Sequence, residues 1–357
     1  MNDESRQYSL LDGMLVQEPA PVKRKSELRN NKRINTIVDV WDKSAIDAKT
    51  LAFVSRVLVQ AFLPHSDPKK MGWSRTNGDF TLDVKSGMGK DKDGEFFQYG
   101  VPYGTIPRLL LAWLNSEAVS NLQDENNPNP RVIRFGRSLS EFLDKIGIGN
   151  TGGANGSITR FKKQAMRLFH AEITVICRGE HYISEKDIKI TDGRFLFWDG
   201  QDPLKQPTIF ESAVELSEPF YRLLTNNPFP LDWRILKELK QSPMALDLYM
   251  WLTHRMSYLQ NPVAIRWETL SKQLGADIKD IHSFRQQVRK HLRVIKTVWK
   301  DLKIEDSESD ALRLITGKSL TTPKALLPKP ISPKKKFSKT WQPLPEKQNK
   351  KSKNKTC

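Results

Sequence analysis

Residues 281–300 constrain the fold of this chain more than any other segment. Plotted at 100° per residue, their apolar side chains fall within an arc of about 120°, which predicts an amphipathic helix with one buried stripe. Such a helix needs an apolar surface to pack against, so the segment must belong to a folded domain. The stripe consists of Ile281, Phe284, Val288, Leu292, Ile295, Val298 and Trp299.

The opposite face of this helix is basic, and residues 281–300 include no Asp or Glu. An ordinary solvated face mixes both signs, because opposite charges at i,i+4 stabilise a helix. Arg, Lys, Gln and Ser can contact bases or phosphates when a helix enters the major groove of DNA. A basic solvated face is the alternative explanation. The predicted DNA-binding residues of this helix are Ser283, Arg285, Gln286, Arg289, Lys290, Arg293 and Lys296.

The elements around this helix predict a winged-helix domain over residues 208–320. A short helix is predicted at 267–274 and ends at Gly275, so a short helix, a turn and a long helix follow one another as in a helix-turn-helix. Two strands, at 302–305 and 311–315, flank an acidic turn and would form the wing. Further elements of this domain are expected at 208–225 (a strand and a short helix), 231–240 (a helix) and 243–258 (a helix with Pro243 in its first turn).

A similar order predicts a first winged-helix domain over residues 36–200, followed by a hydrophilic linker. The expected elements are a helix at 51–62, a β-hairpin of 80–84 and 95–98, helices at 108–119, 138–146 and 157–170, and a second hairpin of 171–177 and 194–198. Ser138 is expected to cap the helix at 138–146. The sequence therefore predicts an α+β chain with two tandem winged-helix domains.

The helix at 157–170 is the second candidate for DNA recognition. Its apolar residues form one stripe, opposite which four polar or basic side chains are expected to lie together. A solvated face explains these residues as well as a DNA contact does. They are Arg160, Lys163, Gln164 and Arg167.

Both ends of the chain are basic and are expected to be disordered. Residues 321–357 contain eleven Lys, six Pro and a single acid, Glu346. Such a segment buries too little apolar surface to fold. It contributes about +10 to the formal net charge of +17, so the rest of the chain is basic as well. Residues 1–35 form the predicted N-terminal arm.

The sequence provides no recognisable catalytic, metal or cofactor site. Gly317-Lys318-Ser319 resembles the end of a P-loop, but Leu312 stands where that motif requires Gly. The six His residues form no closely spaced pair, and Cys177 and Cys357 are too few for a thiolate zinc site. No apolar run approaches the roughly 18–20 residues of a membrane span. We therefore expect a cytoplasmic protein that is not an enzyme and binds no cofactor.

Several strings in the first half of the chain occur in the order found in one family. The chain resembles the RepA-type plasmid replication initiators, most specifically over residues 99–170. The strings are YGVPYG at 99–104, PRLLLAWL at 107–114, EAV at 117–119, SLSEFL at 138–143, TGG at 151–153, ITR at 158–160 and QAMRLF at 164–169.

This resemblance implies two winged-helix domains, a role in starting plasmid replication, and association with plasmid DNA in the cytoplasm of a bacterium. Monomers would bind directly repeated origin sequences, called iterons. Homodimers joined through the first domain would bind an inverted repeat and repress the initiator's own gene. The host initiator, the replicative helicase and chaperones would be partners. A dedicated transcriptional repressor is the first alternative, and a nucleic-acid-processing enzyme such as a relaxase or primase is the second.

Overall fold

The fold is α+β, as predicted. The computed structural model describes residues 8–11, 14–17, 50–55, 58–59, 63–136, 138–178, 183–195, 212–226, 228–275, 280–299, 301–306 and 310–315. The helices in these ranges are α1 (Thr105–Gln123), α2 (Leu139–Lys145), α3 (Ser157–His170), α4 (Glu218–Thr225), α5 (Trp233–Leu239), α6 (Pro243–Tyr258), α7 (Trp267–Leu274) and α8 (Ile281–Val298). The predicted disordered arm and tail lie almost entirely outside the described residues.

The strands are short, and all of their pairings are antiparallel. They are β1 (Tyr8–Leu11), β2 (Met14–Gln17), β3 (Leu51–Ser55), β4 (Gly72–Asn77), β5 (Phe80–Lys85), β6 (Met88–Lys90), β7 (Phe96–Gln98), β8 (Val132–Arg134), β9 (Glu172–Arg178), β10 (Ile183–Lys189), β11 (Thr191–Phe195), β12 (Ala213–Leu216), β13 (Pro228–Asp232), β14 (Val263–Arg266), β15 (Ile304–Glu305) and β16 (Ala311–Leu314).

Local signals place the helix ends close to their predicted positions. The Ser138 side chain accepts a hydrogen bond from the backbone N–H of Glu141 and so caps α2. Ser242 caps α6, and Pro243 occupies its first turn, where its missing N–H costs nothing. Gly275 ends α7 with a left-handed backbone at φ 67°. The predicted helices at 138–146, 157–170, 243–258 and 267–274 are confirmed.

Strand pairing differs from the sequence-based expectation in three places. Residues 51–55 form strand β3, which pairs with β13, so the helix predicted at 51–62 is wrong there. Strand β5 pairs with β4 and β9, while β7 pairs with β6, so 80–84 and 95–98 do not form one hairpin. Strand β9 also pairs with β10, and β11 pairs with β12, so the predicted hairpin of 171–177 and 194–198 is wrong. A short apolar run fits either a helix or a strand, and its distant partner decides between them.

The described elements pack around two hydrophobic cores that share helix α1. The four-stranded sheet β10-β9-β5-β4 packs with α1, α2, α3 and α4 around the first core. The second core lies among α5, α6, α7, α8 and the sheet β14-β16-β15. Leu109 and Ala112 of α1 belong to the second core, whereas Leu110, Trp113 and Leu114 belong to the first. Burial on most sides of α1 follows from this shared position.

Two segments pack differently from their places in the predicted domains. The apolar side chains of β12 and α4, residues 213–225, belong to the first core although they were expected in the second domain. Strand β3 contributes Ala52 and Val54 to the second core. The division of the chain into domains at 36–200 and 208–320 stays a prediction.

Candidate nucleic-acid interface

Helices α7 and α8 form the core of the candidate interface. The carboxylate of Asp280 precedes α8 and accepts hydrogen bonds from the backbone N–H groups of His282 and Ser283. The Ser283 hydroxyl donates to the same carboxylate at 2.7 Å. These bonds, with the Ser283 hydroxyl first, lower the pKa of Asp280. An ionised cap at this position stabilises the first turn of α8.

The predicted apolar stripe of α8 is confirmed at five of its seven positions. Phe284, Val288, Leu292 and Ile295 are almost completely buried, and Trp299 just beyond the helix is buried with them. Ile281 is half-buried against the same core, and the Val298 side chain lies outside the described part of the structure. Trp267, Leu270 and Leu274 of α7 are buried in the same core. Because both helices direct their apolar sides into one core, the basic side of α8 faces outward.

Four of the predicted DNA-binding residues of α8 are exposed, namely Ser283, Gln286, Lys290 and Arg293. Within the described part of the chain, the side chains of Lys290 and Arg293 make no hydrogen bond or ion pair. The Gln286 amide lies 2.9 Å from His282 Nε2, and the Ser283 hydroxyl is engaged at Asp280. Lys290 and Arg293 are therefore the charges of α8 most available to a polyanion.

The other three basic residues of α8 are only partly exposed and contact neighbouring elements. The guanidinium carbons of Arg285 and Arg289 lie 5.9 and 5.7 Å from the centre of the Trp267 ring, a cation–π distance. Arg289 also donates to the backbone carbonyl of Asp306. Lys296 Nζ donates to the carbonyl of Ile304 at 3.2 Å. These residues join α8 to α7 and to the β15–β16 hairpin as well as contributing positive charge.

The sheet beside α8 has the two strands predicted after it. Strands β15 and β16 pair antiparallel, with Glu305 opposite Arg313, and β16 also pairs with β14. Arg313 Nη1 lies 3.6 Å from the Glu305 carboxylate. Asp306 follows β15, and the Arg289 side chain contacts it. A basic residue of α8 thus connects the helix to the end of β15.

Helix α3 carries a smaller basic surface. Its predicted stripe is confirmed, because Ile158, Phe161, Ala165, Leu168 and Phe169 are all buried. Arg160 and Lys163 are exposed on the opposite side. Neither side chain forms a hydrogen bond or ion pair with the residues that the structure describes, so both are available to a polyanion.

Gln164 and Arg167 of α3 do not lie on this exposed side, so the expectation that all four residues share one face is wrong. Gln164 Oε1 accepts a hydrogen bond from the backbone N–H of Tyr103 at 3.0 Å. Arg167 Nη1 donates to the Val101 carbonyl at 3.0 Å and lies 3.2 Å from the Asp67 carboxylate. The segment before α1 thus covers this part of α3, which a helical projection of α3 alone does not reveal.

The glycine-rich segment before α3, residues 151–156, ends in a compact turn at Gly156. A Cβ atom on Gly156 would lie 2.3 Å from the carbonyl oxygens of Thr151 and Gly152, which leaves no room for a side chain. The Ser157 hydroxyl accepts a hydrogen bond from the backbone N–H of Thr151 at 2.9 Å. Residues 151–155 before this turn are exposed.

Sequence reasoning missed one residue next to the end of α7. Arg75 lies on strand β4, which the sequence pattern did not predict, and its Nη1 donates to the Lys272 carbonyl near the end of α7 at 2.9 Å. A Cβ atom on Gly275 would lie 1.9 Å from Arg75 Nη2. Arg75 therefore connects the sheet of the first core to the C-terminal end of α7, and no local sequence signal predicts this contact.

Two features of the described residues concern other functions. No group of three or more His, Cys, Asp or Glu side chains lies close enough together there to hold a metal ion. None of the helices in these ranges combines the length and apolar character needed to cross a membrane.

A comparison with protein families bears on the segment from α1 to α7. Residues 101–269 match the plasmid-encoded RepA family. The resemblance predicted from the sequence is thereby confirmed over just under half of the chain. The RepA-matched segment includes the whole of α3, with Arg160 and Lys163, and ends within α7. Helix α8 lies outside it, so the assignment of α8 rests on its own geometry and charge.

Further comparisons add two solved structures. No curated protein matches the chain in sequence. A crystal structure of selenomethionine derivatives of domains 2 and 3 of RctB is similar at 11% identity and a TM-score of 0.49, over 74% of this chain and 98% of that one. Another crystal structure of RctB domains 2–3 is similar at 14% identity and a TM-score of 0.46, over 73% and 96% of the two chains. Neither likeness supports an inference about function.

Proposed function

We propose that this protein initiates plasmid replication by binding duplex DNA with α3 and α8 as the recognition helices of two winged-helix domains. The observation that carries the proposal is the outward, acid-free basic side of α8, which follows the short helix α7 and the Gly275 turn. The RepA match supports the replication role. The order α6, β14, α7, α8, β15 and β16 is the order of a winged helix and supports that interpretation of the second core.

The proposed DNA-binding residues divide into three groups. Lys290, Arg293, Arg160 and Lys163 would contact bases or phosphates directly, because their charges are exposed and unpaired within the described residues. Arg285, Arg289 and Lys296 would position α8 and contribute positive potential. Ser283 and Gln286 lie near the start of α8, where a recognition helix approaches the base edges.

The remaining parts of the proposal concern assembly. Monomers would bind iterons and recruit the host initiator and replicative helicase. Homodimers would bind an inverted repeat and repress the gene for this protein, and chaperones would convert dimers to monomers. The protein would act through binding rather than catalysis. The alternatives are a dedicated repressor and a nucleic-acid-processing enzyme.

DNase footprinting on the DNA that flanks the gene tests this proposal. The purified protein is titrated at near-physiological salt with competitor DNA, since phosphate attraction alone mimics binding at low salt. Regularly spaced protection over direct repeats is the expected result, and protection of one inverted repeat alone would favour the dedicated repressor. Absence of any protected sequence, or nicking of supercoiled DNA with Mg²⁺, would contradict the proposal.

A matched pair of variants connects a footprint to α8. Arg293→Ala removes an exposed charge from the helix, and Lys189→Ala removes an exposed charge from strand β10 on the first sheet. Arg293→Ala should weaken or abolish the footprint, while Lys189→Ala should leave it intact. Equal footprints from both variants would contradict the proposed contact between α8 and DNA.

A further inference from the structure

A buried ion pair joins the two hydrophobic cores where α1 meets α6. Arg108 on α1 is 5% exposed and Asp247 on α6 is fully buried. Arg108 Nε donates to Asp247 Oδ1 at 2.6 Å, and Nη2 donates to Oδ2 at 2.8 Å. This bidentate geometry restricts the orientation of one helix against the other more strongly than a single contact does.

The rest of the Arg108 guanidinium is also satisfied. Nη1 donates to the carbonyls of Gly104 and Pro64 at 2.7 and 3.2 Å, and Nη2 donates to that of Leu63. His65 Nε2 lies 2.8 Å from Asp247 Oδ2. One carboxylate of the second core therefore connects to α1 and to the segment at 63–65.

Burial of such a pair is weak evidence for stability, because desolvation of two charges costs about as much as their attraction returns. The remaining effect of the pair is on orientation. The paired groups have one favourable geometry, whereas apolar side chains of the same volume can pack in many geometries. The pair therefore matters most for how the two cores are oriented.

That orientation bears on the two candidate recognition helices. Helix α3 packs on α1, α1 packs on α6, and α6 packs on α8. The Arg108–Asp247 pair lies at the α1–α6 contact in the middle of this series. At the α6–α8 contact, the Ser242 hydroxyl at the start of α6 lies 3.2 Å from His291 Nε2 of α8.

We infer that Arg108 and Asp247 are positioning residues that fix α8 relative to α3 and thereby set the spacing of the two DNA segments that the helices contact. This inference rests on the proposed function. Neither residue would touch DNA, since both are buried. Their effect would be on the distance and rotational phase between two contacted grooves.

Binding to DNA with altered spacing tests this role. The probes are the footprinted DNA segment and the same segment with five base pairs inserted between its two protected halves, which rotates one half by about half a helical turn. For the wild-type protein, the insertion should weaken binding by about tenfold or more, since both helices can no longer engage in phase. Asp247→Asn and Arg108→Met/Asp247→Leu should reduce this penalty to roughly threefold or less.

Matched variants separate positioning from stability. Asp232 is a buried carboxylate that caps α5 and pairs with Arg234 of that same helix. Asp232→Asn should lower the melting temperature but keep the full spacing penalty. Arg108→Lys retains the charge, so it should keep a larger share of the penalty than Arg108→Met/Asp247→Leu. Melting curves for each variant confirm that folded protein is compared.

The outcomes distinguish two failures. A folded Asp247→Asn or Arg108→Met/Asp247→Leu variant with the full wild-type penalty would overturn the positioning role. If Asp247→Asn and Arg108→Met/Asp247→Leu do not fold, the graded effect of Arg108→Lys decides: an intermediate penalty supports the role and an unchanged one overturns it. A wild-type protein that binds both probes equally would instead overturn the proposed use of two recognition helices.

Discussion

The charged residues of α8 differ in what they already contact. Arg293 and Lys290 are exposed and unpaired within the described residues, whereas Arg289 donates to the Asp306 carbonyl. Charge alone therefore does not rank these residues as DNA ligands. Their intramolecular contacts allow the binding and structural contributions to be separated by substitution.

If the Arg293 side chain contacts a base, Arg293→Ala should weaken specific DNA binding by about 1–3 kcal/mol. If it contacts phosphate, the slope of the logarithm of the binding constant against the logarithm of the salt concentration should become shallower by about one. Arg289→Ala should instead lower the melting temperature, because it breaks the hydrogen bond between α8 and Asp306 at the end of β15. Gel-shift titrations over a range of salt and thermal melts measure both effects. Identical binding and melting changes in the two variants would contradict the distinction.

Arg167 and Arg160 on α3 form a second contrast. Arg167→Met should cost roughly 1–3 kcal/mol of unfolding free energy, because it removes the hydrogen bond to the Val101 carbonyl and leaves Asp67 without that partner. Arg160→Met changes the same residue type on the same helix at an exposed position, so it should affect DNA binding and leave stability nearly unchanged. Urea denaturation and gel shifts test the two variants. A loss of stability in Arg160→Met but not in Arg167→Met would contradict the assignment of Arg167 to stability and Arg160 to DNA binding.

At the scale of elements, the C-terminal end of α7 lies close to a side chain from the sheet of the first core. Gly275 has a positive φ, and Arg75 lies against it. A side chain at Gly275 would meet backbone strain, and the flexible end of Arg75 would have to move aside. Glycine is therefore favoured at this position chiefly by its backbone conformation.

Gly275→Ala should destabilise the protein by more than about 1 kcal/mol, measured by chemical denaturation. Adding Arg75→Ala should recover part of this loss, since it removes the clash and leaves the φ strain. Gly149→Ala is the control, because Gly149 is exposed and a Cβ atom there meets nothing within 4 Å. Equal stability of Gly275→Ala and Gly149→Ala would show that the approach is not tight.

Helix α8 should also make stability depend on pH. Burial, followed by the charges of Lys290 and His65, lowers the pKa of His291 below its ordinary value of 6.5. The unfolded chain thus takes up this proton more readily than the folded one, so the free energy of unfolding falls as pH drops through 6.5.

His291→Gln should flatten the pH dependence of unfolding between about pH 7.5 and pH 5.5, because the proton uptake of the unfolded chain at this site is removed. The pKa of His170 is lowered as well, chiefly by burial, so His170→Gln should remove a further share. Denaturation curves at several pH values measure the slopes. A wild-type slope in His291→Gln would contradict the prediction.

At the scale of the whole molecule, positive charge is divided between residues 1–320 and residues 321–357. Residues 321–357 contribute about +10 of the formal net charge of +17. Charge far from the contacted bases attracts any DNA, whatever its sequence. Specificity should therefore reside in residues 1–320, and much of the non-specific attraction in the remainder.

A chain that ends at residue 320 should bind random duplex DNA more weakly and with a shallower salt dependence. Its preference for the footprinted segment over random DNA should increase. Titrations of both probes with the full and shortened chains at several salt concentrations measure this change. Loss of the footprint together with unchanged binding to random duplex DNA would contradict this prediction.

The sequence by itself determined the amphipathic helices, their caps and the basic side of α8. These features depend on residues within one or two turns of each other, as with Ser138 and Glu141, so a local pattern contains them. It also predicted the RepA resemblance, because the matching strings are contiguous. The α+β class followed from the same local elements.

Only the tertiary structure decided which strands pair and which polar residues are buried. Residues 51–55 became a strand because β13, far along the chain, offers them a partner, and Gln164 and Arg167 are covered by the segment before α1. The Arg108–Asp247 pair joins helices that are distant in sequence. In each case the free energy depends on a contact between segments that a local pattern treats as independent, and packing alone brings them together.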